Sequence, residues 1–196
     1  MKKVEFKGLD QSYYTETLEN GLQVYVIPYE NKNQYHVSLV TKFGSEDTSF
    51  IPEGEKEMTT VPNGIAHFLE HKMFETEKGE DPFTFFSKTG CDSNAYTSYT
   101  QTAYILSGTE SFETNLDYLL TYVNSPYFTD ENVEKEKGII AEEIKMYDDD
   151  PERALMEKMR QATYQVDPYR IRIGGRVEDI MRITKEDLYK TYNTFY

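Results

Sequence analysis

The sequence predicts an α+β fold, an antiparallel sheet with helices packed on one side. Three observations lead there: strand-like alternation is concentrated early, helical periodicity dominates late, and few strand–helix–strand crossover units occur. In order along the chain, Thr15 to Ile27 has Asn20-Gly21 between apolar alternations, and Asn-Gly supplies the positive φ angles a tight hairpin turn requires. Tyr35 to Phe43 alternates as a third strand; His36 on it has no partner in any motif and reads as structural or exposed. A polar, acidic loop punctuated by Pro52, Gly54 and Pro62 runs from Gly44 to Pro62. A helix around Ile65 to Phe74 follows, then a short one near Pro82 to Lys88 and a second hairpin from Ser93 to Ser107. Further helices are predicted near Glu110 to Asn124, Asp130 to Asp148 and Pro151 to Gln165. The middle one has Thr129 or Asp130 as N-cap and an acidic first turn. The last helix begins at about Lys185, with Thr184 as its cap.

Length and composition fit one domain spanning residues 1–196. With 38% hydrophobic and 14% aromatic residues the chain can bury a sizeable core. A formal charge of −14, from 35 acidic against 21 basic residues, argues against nucleic acid as a partner, because phosphate binding relies on Lys and Arg. No run approaches the roughly 20 apolar residues of a membrane helix, and Met1 to Gly8 lacks the apolar core of a secretory signal. The one cysteine, Cys91, excludes an internal disulfide and suits a reducing compartment, so a cytoplasmic location is expected. Cys91 itself reads as a small residue in a Gly-flanked turn.

The candidate chemistry lies in Asn63-Gly-Ile-Ala-His-Phe-Leu-Glu-His-Lys-Met-Phe74. On a helix, His67 and His71 project from one face and can hold one metal ion. Glu70 shares that face, where a carboxylate that is not a ligand can take a proton from water. The order H-x-x-E-H is the inverzincin pattern. On a wheel of about 100° per residue, Ile65, Ala66, Phe68, Leu69, Met73 and Phe74 fall nearly all round, as on a buried helix. His67, Glu70 and His71 are thus one polar arc in apolar surroundings. Buried polar groups need partners, so a metal or a dense hydrogen-bond network must satisfy them.

A third ligand is sought on the helix from Asp130 to Asp148. Its apolar arc contains Val133, Ile139, Ile140, Ile144, Met146 and Tyr147; Glu136 and Glu143 fall inside that arc, whereas Glu131, Glu134 and Glu142 fall outside. Carboxylates on the buried side of a helix need a compensating charge, and either Glu143 or Glu136 directed at a metal ion supplies one. The strand from Ser93 to Tyr99 reads as an ordinary sheet strand, or as an edge that accepts an extended peptide.

His67-Phe-Leu-Glu-His71, followed 72 residues later by Glu143, resembles the pitrilysin family of zinc peptidases, which includes insulin-degrading enzyme and the mitochondrial processing peptidase. Gly64-Ile-Ala, Asn94-Ala-Tyr-Thr-Ser98 with Tyr104, and Ile183-Thr-Lys-Glu-Asp-Leu188 extend the resemblance from about Thr15 to Tyr196. It implies His67, His71 and Glu143 as ligands of one zinc ion, Glu70 as general base, and Glu136 as the acidic residue that supports the ligands from behind. It further implies that the strand near Ser93 holds substrate, with Asn94 and Ala95 in contact and Phe74 lining the pocket beside the scissile bond.

Proteins of that family pair domains of this size like a clamshell, the facing domain supplying an arginine and a tyrosine. The chain carries one such domain, so the resemblance implies the N-terminal part of a longer protein, completed in cis or by a partner subunit. Alone it would be inactive or weakly active, lacking donors that stabilise the oxyanion. An uncovered inner face around Phe74 and Asn94 would also suit self-association into a homo-oligomer. The expected function is hydrolysis of a peptide or small unfolded protein through a zinc-activated water. The alternative is a non-catalytic, substrate-binding partner subunit, although such subunits typically lose ligands. S-ribosylhomocysteine lyase shares the inverted motif but takes a cysteine as third ligand, and Cys91 stands only 20 residues beyond His71.

Overall fold

The computed structural model describes residues 1–9 and 11–196. The chain forms two compact units, Met1–Gln34 and Tyr35–Tyr196. In the first, strands β1 (Lys2–Glu5), β2 (Ser12–Thr17) and β3 (Gln23–Val26) make an antiparallel sheet in the order β1-β2-β3. The Asn20-Gly21 hairpin joins β2 to β3, with Gly21 at φ +88°. Strand β1 carries no alternation that would announce it; it is defined by its pairing, which sets Val4 opposite Tyr13. Tyr13 in turn packs against Phe6 and Tyr25 at centroid distances of 5.5 and 6.1 Å.

The second unit contains β4 (Tyr35–Thr41), β5 (Ser49–Phe50), β6 (Thr59–Thr60), α1 (Ile65–Met73), α2 (Pro82–Lys88), β7 (Asp92–Thr97), β8 (Thr102–Gly108), α3 (Phe112–Val123), α4 (Asp130–Asp148), α5 (Pro151–Thr163), α6 (Val177–Ile180) and α7 (Lys185–Phe195). The class is α+β with antiparallel sheets, but the strands do not form one sheet. Strand β4 pairs along its whole length with β8, giving a second sheet in the order β4-β8-β7. Between β3 and β4 the chain passes Pro28, which has no amide to donate to a ladder, and Asn31 at φ +61°, which turns it. Within the loop from Gly44 to Pro62 the short pair β5–β6 folds over, and Phe50 and Val61 are buried. A 3₁₀ turn at Pro168–Arg170 and helix α6 also appear where no element was expected.

Strand periodicity divides the β4-β8-β7 sheet into two faces. Val37, Leu39, Ala95, Tyr104 and Leu106 lie on the core side, while His36, Ser38, Val40, Asn94 and Tyr96 lie on the other. Helices α1 and α2 contact β7, and α1 and α3 contact β8. Helix α1 sits deepest: Ile65, Phe68, Leu69 and Met73 are at most 2% exposed. Burying each such side chain contributes roughly 1.5–3 kcal/mol, which fixes the rotation of α1 and so the direction of its polar arc. Cys91 is buried, and His36 is exposed and pairs with Ser107 through Nδ1 at 2.9 Å.

Helix α4 starts with a reciprocal cap, in which Thr129 and Asn132 each bond the other's backbone amide. Its buried face is Val133, Lys137, Ile140, Ala141 and Ile144, narrower than the expected arc. Ile139 and Met146 are 48% and 63% exposed, because the helix lies against its neighbours along the 133–137–140–144 row alone. Glu136 and Glu143 are half-buried at the margin of that row, and Glu131, Glu134 and Glu142 are exposed. No helix among the described residues is long and apolar enough to cross a membrane.

Candidate functional site

Glycines set where α1 begins. Gly64, its N-cap, has φ +83°, and a Cβ there would lie 2.5 Å from the Gly174 carbonyl oxygen. Gly175 has φ +69°, and a Cβ there would lie 2.7 Å from the Asn63 carbonyl oxygen. The two backbones therefore touch only because both lack side chains. Arg172 anchors the same loop by donating to Asp148 at the end of α4 and to buried Glu157 on α5.

One turn into α1, His67 and His71 present their rings with centroids 4.6 Å apart. Glu143 on α4 faces both: Oε1 lies 3.8 Å from His67 Nε2 and Oε2 lies 3.5 Å from His71 Nε2. One ligand atom from each of the three residues falls within 4.8 Å of the others. Donors bound to one tetrahedral ion at about 2.0–2.1 Å stand about 3.4 Å apart, so this spacing fits a zinc-sized ion after a small contraction. The donor set fits as well, two imidazole nitrogens and one carboxylate oxygen being a combination that leaves a coordination position for water.

Glu136, two helical turns before Glu143, reaches the other side of His71. His71 Nδ1 lies 3.0 Å from Glu136 Oε1, so a proton on Nδ1 is donated to that carboxylate, and in the neutral ring this leaves Nε2 as the lone-pair nitrogen on the side of Glu143. His67 Nδ1 is buried beside Gly174 and has no hydrogen-bond partner among the described residues.

The electrostatics follow from this packing. Burial and the charge of His71 lower the His67 pKa to about 4 against the pull of Glu143 and Glu136, so its imidazole is neutral, the form that binds a metal. For His71, burial acts downward, but the Glu136 hydrogen bond and the charges of Glu136, Glu143 and Glu70 outweigh it and raise the pKa. Burial would raise the pKa of Glu136; the bond to His71, the charge of His71 and those of Lys72 and Lys135 lower it instead. Glu70 is 9% exposed, and burial raises its pKa although a hydrogen bond from Thr97 opposes the shift. A carboxyl raised in this way is a better proton acceptor.

The expected substrate residues are distributed around β7. Phe74 stacks on Phe83 with centroids 4.5 Å apart and packs against Tyr104 and Tyr122. Strand β7 is an outer strand of its sheet, and its alternation puts Asn94 and Ala95 on opposite faces. Ala95 packs on the core, while its amide donates to Asn94 Oδ1 at 2.9 Å.

Three contributors carry no clear sequence signal. Thr97 donates through Oγ1 to Glu70 Oε2 at 2.5 Å. Lys72 is fully buried between α1 and α4 and donates to the Glu75 carboxylate and, at 3.3 Å, to the Asn132 carbonyl. The Gly174-Gly175 pair closes over His67. Only the Lys72–Glu75 spacing of three residues, inside an apolar helix, could have been noticed beforehand.

The description "Insulinase (Peptidase family M16)" belongs to the family model matched by residues 50–175. A Bacillus subtilis protein named "Uncharacterized zinc protease YmfH" is 49% identical over all of this chain, which covers 46% of that protein. The crystal structure of a protein described as an M16-like peptidase, from Alicyclobacillus acidocaldarius, superposes with a TM-score of 0.91 at 44% identity, over 96% of this chain and 44% of that one. An M16 inactive domain from Pseudomonas fluorescens shares the fold, with a TM-score of 0.75 at 16% identity over 92% of this chain and 42% of the other. The chain thus spans less than half the length of these relatives.

Proposed function

The chain belongs to the insulinase family, peptidase family M16, and on that premise we propose that it is the metal-bearing domain of a zinc endopeptidase. The observation that carries this reading is the convergence of His67, His71 and Glu143 within 4.8 Å on two packed helices, with Glu70 buried on the same face of α1. The names of the relatives support zinc as the ion.

In the proposed reaction His67, His71 and Glu143 hold the ion and Glu136 keeps His71 in the tautomer that binds. Bound there, zinc would supply Lewis acidity, polarising the scissile carbonyl and making a water proton easier to remove. Glu70 accepts that proton as water attacks and returns it to the leaving amine, so the base ends the cycle as it began. Strand β7 offers its outer edge to an extended peptide at Asn94 and Ala95, and Phe74 lines the neighbouring apolar surface. The remaining half of the reaction chamber would come from a second domain in cis or a partner subunit. Without it the 196 residues should turn over slowly, since one missing oxyanion donor typically costs about 10²- to 10³-fold. The Pseudomonas domain described as inactive has the same fold, and the second reading is accordingly a non-catalytic partner role.

Glu70→Gln in the full natural protein separates the two. The amide keeps the shape of the side chain but accepts no proton at neutral pH. The expected result is full zinc occupancy with peptidase activity at background. Wild-type protein that holds zinc and cleaves no unstructured peptide would favour the non-catalytic reading, and loss of zinc from Glu70→Gln would make Glu70 a ligand.

A further inference from the structure

We propose that Thr97 is the positioning residue of the general base, fixing which oxygen of Glu70 takes the proton. This inference rests on the role proposed for Glu70 and goes one residue deeper. Glu70 leaves α1 with a carboxylate that could rotate about its terminal torsion, which is broad and roughly two-fold. The Thr97 hydroxyl removes that freedom by donating to Oε2 at 2.5 Å, a short charge-assisted bond. Oε1 is then the oxygen left to act as base, held on the polar arc it shares with His67 and His71.

The placement of Thr97 gives it a second consequence. It lies two residues after Ala95 on the core-facing row of β7, opposite Thr102 on β8. Thr102 in turn donates to the Phe43 carbonyl at 3.0 Å, which ties the strand beside Thr97 to the backbone at Phe43. The Ala95 amide, which donates to the Asn94 side chain, is the group an incoming peptide strand would capture. Peptide on the edge of β7 and base on α1 are therefore registered by one hydrogen bond between them.

The test uses the full natural protein loaded with zinc, as wild type, Thr97→Val and Thr97→Ser. Valine keeps the shape and removes the donor; serine keeps the donor. Thr97→Val should bind zinc as wild type does, keep KM within about twofold, and lose about ten- to a hundredfold in kcat. Thr97→Ser should restore kcat to within about threefold of wild type. Crystal structures supply a readout that needs no activity: Glu70 should occupy one rotamer in wild type and Thr97→Ser, and two or more in Thr97→Val. A single, unmoved Glu70 in Thr97→Val overturns the proposal whatever the activity, as does unchanged kcat in that variant. Wild-type protein without peptidase activity would instead count against the proposed function, and the rotamer comparison would still decide the role of Thr97.

Discussion

At the scale of single residues, the site is a set of carboxylates whose burial and partners differ in kind. Glu143 faces two imidazole nitrogens, Glu136 accepts from the far side of one imidazole, Glu70 is held by a threonine, and Glu142 pairs with Lys145 on the surface. This separation makes a sharp prediction for metal affinity. Glu136→Gln should weaken zinc binding about tenfold or more, the usual effect of loosening a ligand's support. Glu142→Gln should leave it unchanged. Competitive titration with a zinc chelator checks both, and the reverse pattern would mean that α4 is rotated relative to the arrangement described. The phase of α4 is legible in the sequence because Glu136 and Glu143 fall among Val133, Ile140 and Ile144. Thr97 is not, because a threonine in an alternating strand looks the same whether or not a carboxylate waits beneath it.

At the scale of elements, α1 depends on what touches its first turn. Gly64 and Gly175 lie in the left-handed region and pack backbone to backbone, so alanine at either brings both torsional strain and a clash. Each substitution should cost roughly 2–4 kcal/mol of unfolding free energy, against about 1 kcal/mol for Gly79→Ala. Gly79 has φ +70°, but a Cβ there would meet nothing within 4 Å among the described residues, so it isolates the torsional part. Equal losses at all three positions in denaturant unfolding would contradict the close approach. Several helix limits are legible because local chemistry writes them: Thr129 and Thr184 cap α4 and α7, and Asp81-Pro82 and Asp150-Pro151 start α2 and α5. The exposure of Ile139 and Met146 is not legible, since it depends on which neighbours the helix meets and on how wide a face they cover.

At the scale of the whole molecule, antiparallel strands and helices follow from the order of alternating and helical segments. The division of the strands does not, because alternation marks a strand without naming its partner. Strand β4 finds β8, a pairing that joins residues as far apart as Tyr35 and Gly108. Helix α1 contacts β7, β8, α4 and α7, so long-range packing brings two distant helices to one point where His67, His71 and Glu143 meet. All three candidate ligands lie in the unit Tyr35–Tyr196, which should therefore bind metal without contributions from another domain. Zinc-edge anomalous diffraction from crystals of the zinc-loaded protein tests this most directly. The account predicts one ion per chain, at about 2.0–2.2 Å from His67 Nε2, His71 Nε2 and one oxygen of Glu143, with Glu136 bonded behind His71. An ion held by Glu136 or Glu70 in place of Glu143, or no ion between α1 and α4 at all, would contradict it.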